Sequence, residues 1–426
     1  MFDWANSAYN LVITSTIFPA YYVAITNNDK TNNHVMFFGK SFVNTALSDY
    51  TLAAAYLIIA LLLPILTSIA DYRGNKKIFM QFFTWLGAIS CCALYFFKID
   101  TLETSMIFFG LAAIGYSGGF VFYNSYLPEI ATPDMQDKVS AKGFTYGYIG
   151  SVLLQLICFL FVLKPEWFGI VDKSFPARLS FLLVGIWWIC FAYIPFFVLP
   201  KGSPNAQSHT HDIIRGGFIA LGKVWQQVKN MPVLKRYLPA FFFYSMGVQT
   251  IMLVATSFGA KELKMEKTDL IQIILIIQLV AIGGATLMSR LAMKYGNIKI
   301  LAYVVTIWIL VCIAAYFTTT STEFYIIAVI VGLVMGGIQS LSRSTYSQLI
   351  PQDIPDSASF FSFYDVTEKL AIVGGMFSFG LVDDLTNSMR NSALVLCTYF
   401  IAGLIILISL LAYEKKSRKI SELSAV

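Results

Sequence analysis

The sequence predicts an all-α integral membrane protein, with twelve transmembrane helices arranged in two six-helix halves. Three observations carry this prediction. The 426 residues are 57% hydrophobic and 13% charged, with a mean hydropathy of +0.68. A soluble globule carries about 45–50% apolar and about 25% charged residues, so the excess apolar surface needs lipid. The chain also breaks into twelve apolar runs, each near the roughly 20 residues that cross a bilayer as a helix. Finally, one short loop is written twice. Ala70, Gly74, Asn75, Lys77 and Ile78 recur 222 residues on as Ala292, Gly296, Asn297, Lys299 and Ile300, and each copy joins two apolar runs.

The expected spans are 4–26, 50–70, 78–97, 105–127, 143–163, 178–199, 237–259, 270–291, 299–319, 324–346, 359–382 and 392–413. Many of the 36 Phe and 23 Tyr lie at run ends, where amphipathic rings anchor at the interface. With the N-terminus inside, the inner loops and tail hold 19 Lys and Arg, the outer loops hold 10, and Lys369 lies within a span. Cytoplasmic loops carry the cation excess, so both termini are expected in the cytoplasm of a multi-pass cell-membrane protein. The first run lacks a basic leader, and Asn6, Ser7, Asn10, Thr14, Ser15 and Thr16 make it too polar for a cleaved signal. It is read as a retained first helix.

The organisation that follows is an N-terminal half over 1–200, a cytoplasmic linker over 201–236, a C-terminal half over 237–413 and a tail over 414–426. Within the linker, Ile214, Phe218, Leu221, Trp225 and Val228 recur at steps of four and three, the spacing of one helical face. This predicts an amphipathic helix lying on the headgroups.

Composition also excludes function classes. The basic residues are scattered over short loops rather than gathered in a stripe, which argues against nucleic acid. All six cysteines fall inside apolar runs and only three histidines exist, so no disulfide, structural zinc or other metal site is expected. There is no phosphate-binding loop, no zinc-protease motif and no nucleophile elbow. No catalytic residue and no cofactor are expected, and the chain is read as a monomer and not an enzyme.

The spans differ in polarity. Spans three, six, nine and twelve are almost purely apolar, whereas one, four, five, seven, ten and eleven carry Gly, Asn, Gln, Tyr, Ser and charge. Polar groups at membrane depth need neighbouring helices or a water-filled cavity. Span eleven is the most informative. Asp365 and Lys369 are one helical turn apart and Glu368 flanks them, so the three share a face. Each such central charge costs about 2.5–3.5 kcal/mol. The pattern suits either a substrate or proton site or an ion pair that locks packing, and a zwitterion would match adjacent acid and base groups. Gln249 and Gln155 lie near mid-depth. Asn6, Tyr9, Tyr123, Asn124, Tyr146, Gln339 and Tyr364 complete the candidate solute site. Arg343, at the end of span ten, is read as snorkelling. Gly115, Gly118, Gly119, Gly332, Gly336 and Gly337 are read as small faces for close helix packing. Two halves with a polar central set are the pattern of a secondary transporter.

The loop Asp71-Tyr72-Arg73-Gly74-Asn75-Lys76-Lys77 resembles the signature between helices two and three of the major facilitator superfamily. Thr67 stands where that signature has its first glycine, and in the second copy Met293 replaces the acidic residue. The resemblance implies a gate that holds the inner mouth closed, built on Asp71, Arg73, Gly74, Lys76 and Lys77, with Gly296 and Lys299 in the echo. Four motifs in order extend the likeness to the whole chain: Asp3-Trp4-Ala5-Asn6-Ser7-Ala8-Tyr9, Ile69-Ala70-Asp71-Tyr72-Arg73-Gly74, Gly336-Gly337-Ile338-Gln339-Ser340-Leu341-Ser342-Arg343-Ser344, and Phe361-Ser362-Phe363-Tyr364-Asp365-Val366. Together they resemble the autophagy-related vacuolar amino-acid effluxer family within that superfamily. The first motif begins at residue 3, where the family carries a short polar segment ahead of it. Ser245-Met246 stand before Gly247 where relatives carry an Asn-Asp pair, which removes one intramembrane carboxylate. The resemblance implies the major facilitator fold and an export-type permease for amino acids working by alternating access. Its partners would be a small-molecule substrate, protons as a candidate coupling ion, and the lipid bilayer. The alternative is a non-transporting sensor or lipid-handling protein on the same scaffold.

Overall fold

The computed structural model describes residues 1–27, 33–200, 213–352, 356–386 and 388–424. The linker's first part, Lys201 to Asp212, and the Ile214 side chain lie outside the described residues. The chain is helical nearly throughout. Its first span, α1 (Phe2–Thr26), is followed by a small hairpin of β1 (His34–Phe37) and β2 (Lys40–Val43). The spans α2 (Asn44–Arg73), α3 (Lys76–Ala93), α4 (Leu102–Asn124), α5 (Pro133–Leu163) and α6 (Phe175–Val198) come next. After the linker helix α7 (Ile213–Asn230) come α8 (Pro232–Glu262), α9 (Lys267–Tyr295), α10 (Asn297–Phe317), α11 (Ser321–Leu349), α12 (Ser357–Thr386) and α13 (Met389–Ser424).

Among the described residues, eleven helices are long and apolar enough to cross a membrane on length and composition alone. The twelfth span is α12. It is long enough at 30 residues, and what sets it apart is the charge of Asp365, Glu368, Lys369, Asp383 and Asp384 within it.

Two compact units make up the chain. Unit 1 comprises Met1–Tyr123 and Tyr146–His209, and unit 2 comprises Asn124–Thr145 and Thr210–Val426. In unit 1 the first span is not a uniform α-helix. Tyr9–Ile17 form nine residues of π-helix between α-helical ends. Hydroxyls bond five residues back along this stretch, Ser15 to the Asn10 carbonyl at 2.9 Å and Thr16 to the Leu11 carbonyl at 2.8 Å. Such wide turns are rare and gather at functional sites. The hairpin turns at Phe38 and Gly39, both at positive φ, and Phe38 N–H donates to Glu103 Oε1 at 2.7 Å.

Unit 2 is held by very close helix crossings. A Cβ at Gly284 on α9 would overlap the Leu333 carbonyl of α11, and one at Gly336 would overlap the Ala281 carbonyl. Small residues let backbones approach in this way where lipid supplies no hydrophobic drive between helices. The linker helix lies against unit 2 on a face rotated from the expected one. Val224 and Val228 are buried, while Phe218 and Trp225 are exposed. Trp225 nonetheless stacks on Phe363 of α12, centroids 5.5 Å apart. The valines fit the surface because they are short. The Phe218 ring projects outward, where an interfacial helix keeps its bulky apolar groups.

Candidate functional site

The charged turn of α12 forms one cluster. Lys369 Nζ lies 3.4 Å from Asp365 Oδ1 and 3.3 Å from Glu368 Oε2. Gln249 of α8 donates through Nε2 to Glu368 Oε1 at 2.9 Å. Close packing brings that glutamine in, because Gly375 of α12 leaves no room for a side chain against Met246 and Thr250 of α8. Asp365 and Lys369 are 2% and 5% exposed. The balance of the cluster is two carboxylates to one ammonium. Asp365 Oδ2 is buried and has no hydrogen-bond partner among the described residues. A buried carboxylate oxygen without a donor is costly, and the cheapest donors are a proton or a cationic group.

Aromatic rings wall one side. Tyr364 stacks on Phe241 at 4.2 Å between centroids and meets Tyr346 at 5.0 Å. Behind them runs a hydrogen-bonded ladder that the sequence reading did not single out. Tyr237 and Tyr244 hydroxyls are 3.1 Å apart, Tyr244 Oη and Ser342 Oγ are 2.8 Å apart, and Tyr237 donates to the Ser342 carbonyl at 3.0 Å. Tyr237 and Tyr244 are seven residues apart, two turns along one face of α8, and that spacing was the available signal.

Arg343 does not snorkel. It is 3% exposed and donates to Ser140 Oγ at 3.0 Å, the Ser140 carbonyl at 2.9 Å and Asn124 Oδ1 at 3.2 Å. The Phe144 ring lies 4.3 Å from its guanidinium carbon. Partners distant in sequence satisfy the charge, so it has no need of water. Gln339 points elsewhere, with Nε2 at 3.3 Å from Met252 Sδ.

The remaining candidates lie in unit 1. Tyr123 donates to Asp3 Oδ2 at 2.6 Å. Asn6 is 1% exposed, and neither amide atom has a partner among the described residues. Tyr9 is buried against Tyr116 and Trp188. Gln155 Oε1 accepts from Thr16 of the π-helical stretch at 2.8 Å, while its Nε2 has no partner among the described residues. Tyr146 is 38% exposed. The candidate list thus falls into two groups. Asn6, Tyr9, Gln155, Tyr123 and Tyr146 belong to one unit, and Asp365, Glu368, Lys369, Gln249, Tyr364, Gln339 and Asn124 to the other.

The duplicated loops differ in detail. In the first, Gly74 closes α2 in the left-handed region at φ +62°, where glycine carries no Cβ penalty. Asp71 and Lys76 are buried and Arg73 is exposed. Lys77 donates to the Leu199 carbonyl at the end of α6 at 2.6 Å, as a cation at a helix C-terminus should. In the second, Gly296 has φ +93°, and Lys294 and Lys299 sit 5.2 and 5.7 Å from the Tyr295 ring centre. A carboxylate is present there although Met293 cannot supply it. Asn297 Nδ2 donates to Asp137 Oδ1 at 2.6 Å. Sequence reasoning missed Asp137 because its partner lies 160 residues away.

A model of the family described as "Vacuole effluxer Atg22 like" matches residues 1–421 of this chain. The chain belongs to this family. It is 32% identical over 408 residues to the uncharacterized MFS-type transporter YxiO of Bacillus subtilis, covering 96% of this chain and 92% of that protein. It is 24% identical to autophagy-related protein 22 of Kluyveromyces lactis, over 87% of this chain and 80% of the relative. Among solved structures, the proton:xylose symporter XylE superposes with a TM-score of 0.70, covering 97% of this chain and 94% of that one at 13% identity. FucP in the outward conformation gives 0.67, covering 96% and 98%, also at 13% identity. The chain is a multi-pass membrane protein with the major facilitator fold of twelve helices, and it is a secondary transporter.

Proposed function

We propose that the chain moves a small zwitterionic solute, an amino acid, across the cell membrane by alternating access, in the direction of export and in exchange for protons. The α12 cluster carries this reading: two carboxylates share one ammonium, and one oxygen of Asp365 lacks a donor. The open position is Oδ2 of Asp365. The ammonium of an amino acid donates to that oxygen, with the solute carboxylate drawn to Lys369, so the zwitterion adds no net charge to the cluster. A proton on the same oxygen also fills the position, and it removes the excess negative charge. Proton and solute therefore compete for one oxygen, and occupancy by either excludes the other. Exchange of one for the other follows from that competition. Gln249 holds Glu368 in place and leaves Asp365 as the group that changes partner. The cation bias of the loops supports an orientation with both termini in the cytoplasm.

The test is counterflow in proteoliposomes loaded with single amino acids, with and without a pH gradient. Uptake of labelled solute against unlabelled, accelerated by an opposing proton gradient, is expected. Flux of no amino acid in the panel would overturn the substrate class. Flux indifferent to the gradient would overturn the exchange.

A further inference from the structure

A groove of about 600 Å³ lies at one end of unit 2, lined by Lys294, Tyr295, Gly296, Asn297, Lys299, Thr345 and Lys415 among others. We infer that it binds a phosphate group. Lys294 and Lys299 flank one tyrosine ring, and Lys415 adds a third ammonium. Glu414 is the carboxylate that lines the groove with them. Nearby Asp137 is buried and accepts from Asn297. The cations therefore exceed the carboxylate lining the groove, as a phosphate requires.

The backbone adds donors. The groove contains the start of α10, a helix of 21 residues capped by Gly296, which offers no side-chain acceptor to its first N–H groups. A helix start with free N–H groups attracts anions. A Cβ built on Gly296 would meet nothing within 4 Å, so a ligand can approach the backbone there.

Thr345 points independently to a ligand. It lines the groove, is 2% exposed, and its Oγ1 has no partner among the described residues. Thr67, Thr84 and Thr306 bond back to the fourth carbonyl before them, at Leu63, Met80 and Ala302, whereas the hydroxyls of Thr250 and Thr345 have no partner among the described residues. Of the two, Thr345 is the one that lines the groove, and a buried hydroxyl without a partner calls for an explanation, which a bound phosphate supplies. A phosphate oxygen accepts from that hydroxyl.

The phosphate could belong to an anionic lipid headgroup or be free in solution, and the experiment separates the two. The full chain is purified in neutral detergent and melted over a titration of inorganic phosphate against chloride at matched ionic strength. It is melted again in nanodiscs of phosphatidylcholine with and without phosphatidic acid, with oleate as a phosphate-free anion. A saturable rise in Tm is expected in one arm: the first if the ligand is free phosphate, the second alone if it is a headgroup. Lys294→Gln/Lys299→Gln should abolish the rise without lowering the ligand-free Tm, since both lysines are exposed. Thr345→Val should weaken apparent affinity about tenfold, the loss of one charge-assisted hydrogen bond. No rise in either arm, an equal rise with oleate, or an undiminished rise in the double-lysine variant would each overturn the site.

Discussion

Asp365 gives Lys369 only one of its two carboxylate oxygens. Nζ sits 3.4 Å from Oδ1, while Oδ2 is buried without a donor. A buried carboxylate oxygen without a donor is costly. On the proposed reading, the solute or a proton fills that position.

Lys369→Met should destabilise the protein by about 3–5 kcal/mol, the cost of leaving a buried charge without its partner. The double variant Asp365→Leu/Lys369→Met should recover most of that stability, since apolar replacement of a buried pair is often neutral or stabilising. It should not recover flux. Melting and counterflow on the same variants decide the matter, and full flux in the double variant would remove these charges from the transport site.

Asp365→Asn keeps shape and hydrogen bonding but abolishes the charge deficit. Residual exchange should become independent of the pH gradient, with gradient-driven flux reduced at least about tenfold, as expected on removing a charged hydrogen-bonding partner. A variant that still responds to the gradient as the parent does would place proton coupling elsewhere.

Asp71→Asn should lower transport about tenfold on the same scale while leaving membrane insertion intact. Asp71 is buried, and a buried charge is costly unless it is paired and hydrogen-bonded. Quantifying assembled protein in membrane fractions beside the flux separates a gate from a turn that merely guides insertion. Loss of the assembled protein would favour the latter.

Gly283 and Gly284 are neighbours with opposite surroundings. A Cβ at Gly283 meets nothing within 4 Å, whereas one at Gly284 collides with the Leu333 backbone. Gly284→Ala should cost about 1–3 kcal/mol through overpacking. Gly283→Ala should be neutral or slightly stabilising on helix propensity. Thermal melts in detergent read both.

A reporter fused after Val426 should be active only in the cytoplasm, given the 19-to-10 distribution of cations between the two sides. Activity on the outer side would invert the proposed topology.

The sequence alone determined the membrane class, the twelve helices, the repeated loop and the shared face of Asp365, Glu368 and Lys369. Each follows from short-range properties. Apolar runs of bilayer length fold as helices because lipid offers the backbone no other partner, and residues four apart must meet on one side of a helix. Tertiary structure decided what those helices do with their polar groups. Arg343 stands at a span end, where sequence reasoning sends an arginine to water, yet Asn124 and Ser140 receive it some 200 residues away in the chain. Asp137 meets Asn297, Tyr244 meets Ser342 and Gln249 meets Glu368, and no local period announces any of these pairings. The π-helical stretch of α1 lies in the same category. Periodicity reports which face of a helix is apolar, but the partner of a buried donor depends on which other helix crosses it, and close crossings such as that of Gly284 and Gly336 fix this only once the chain has folded.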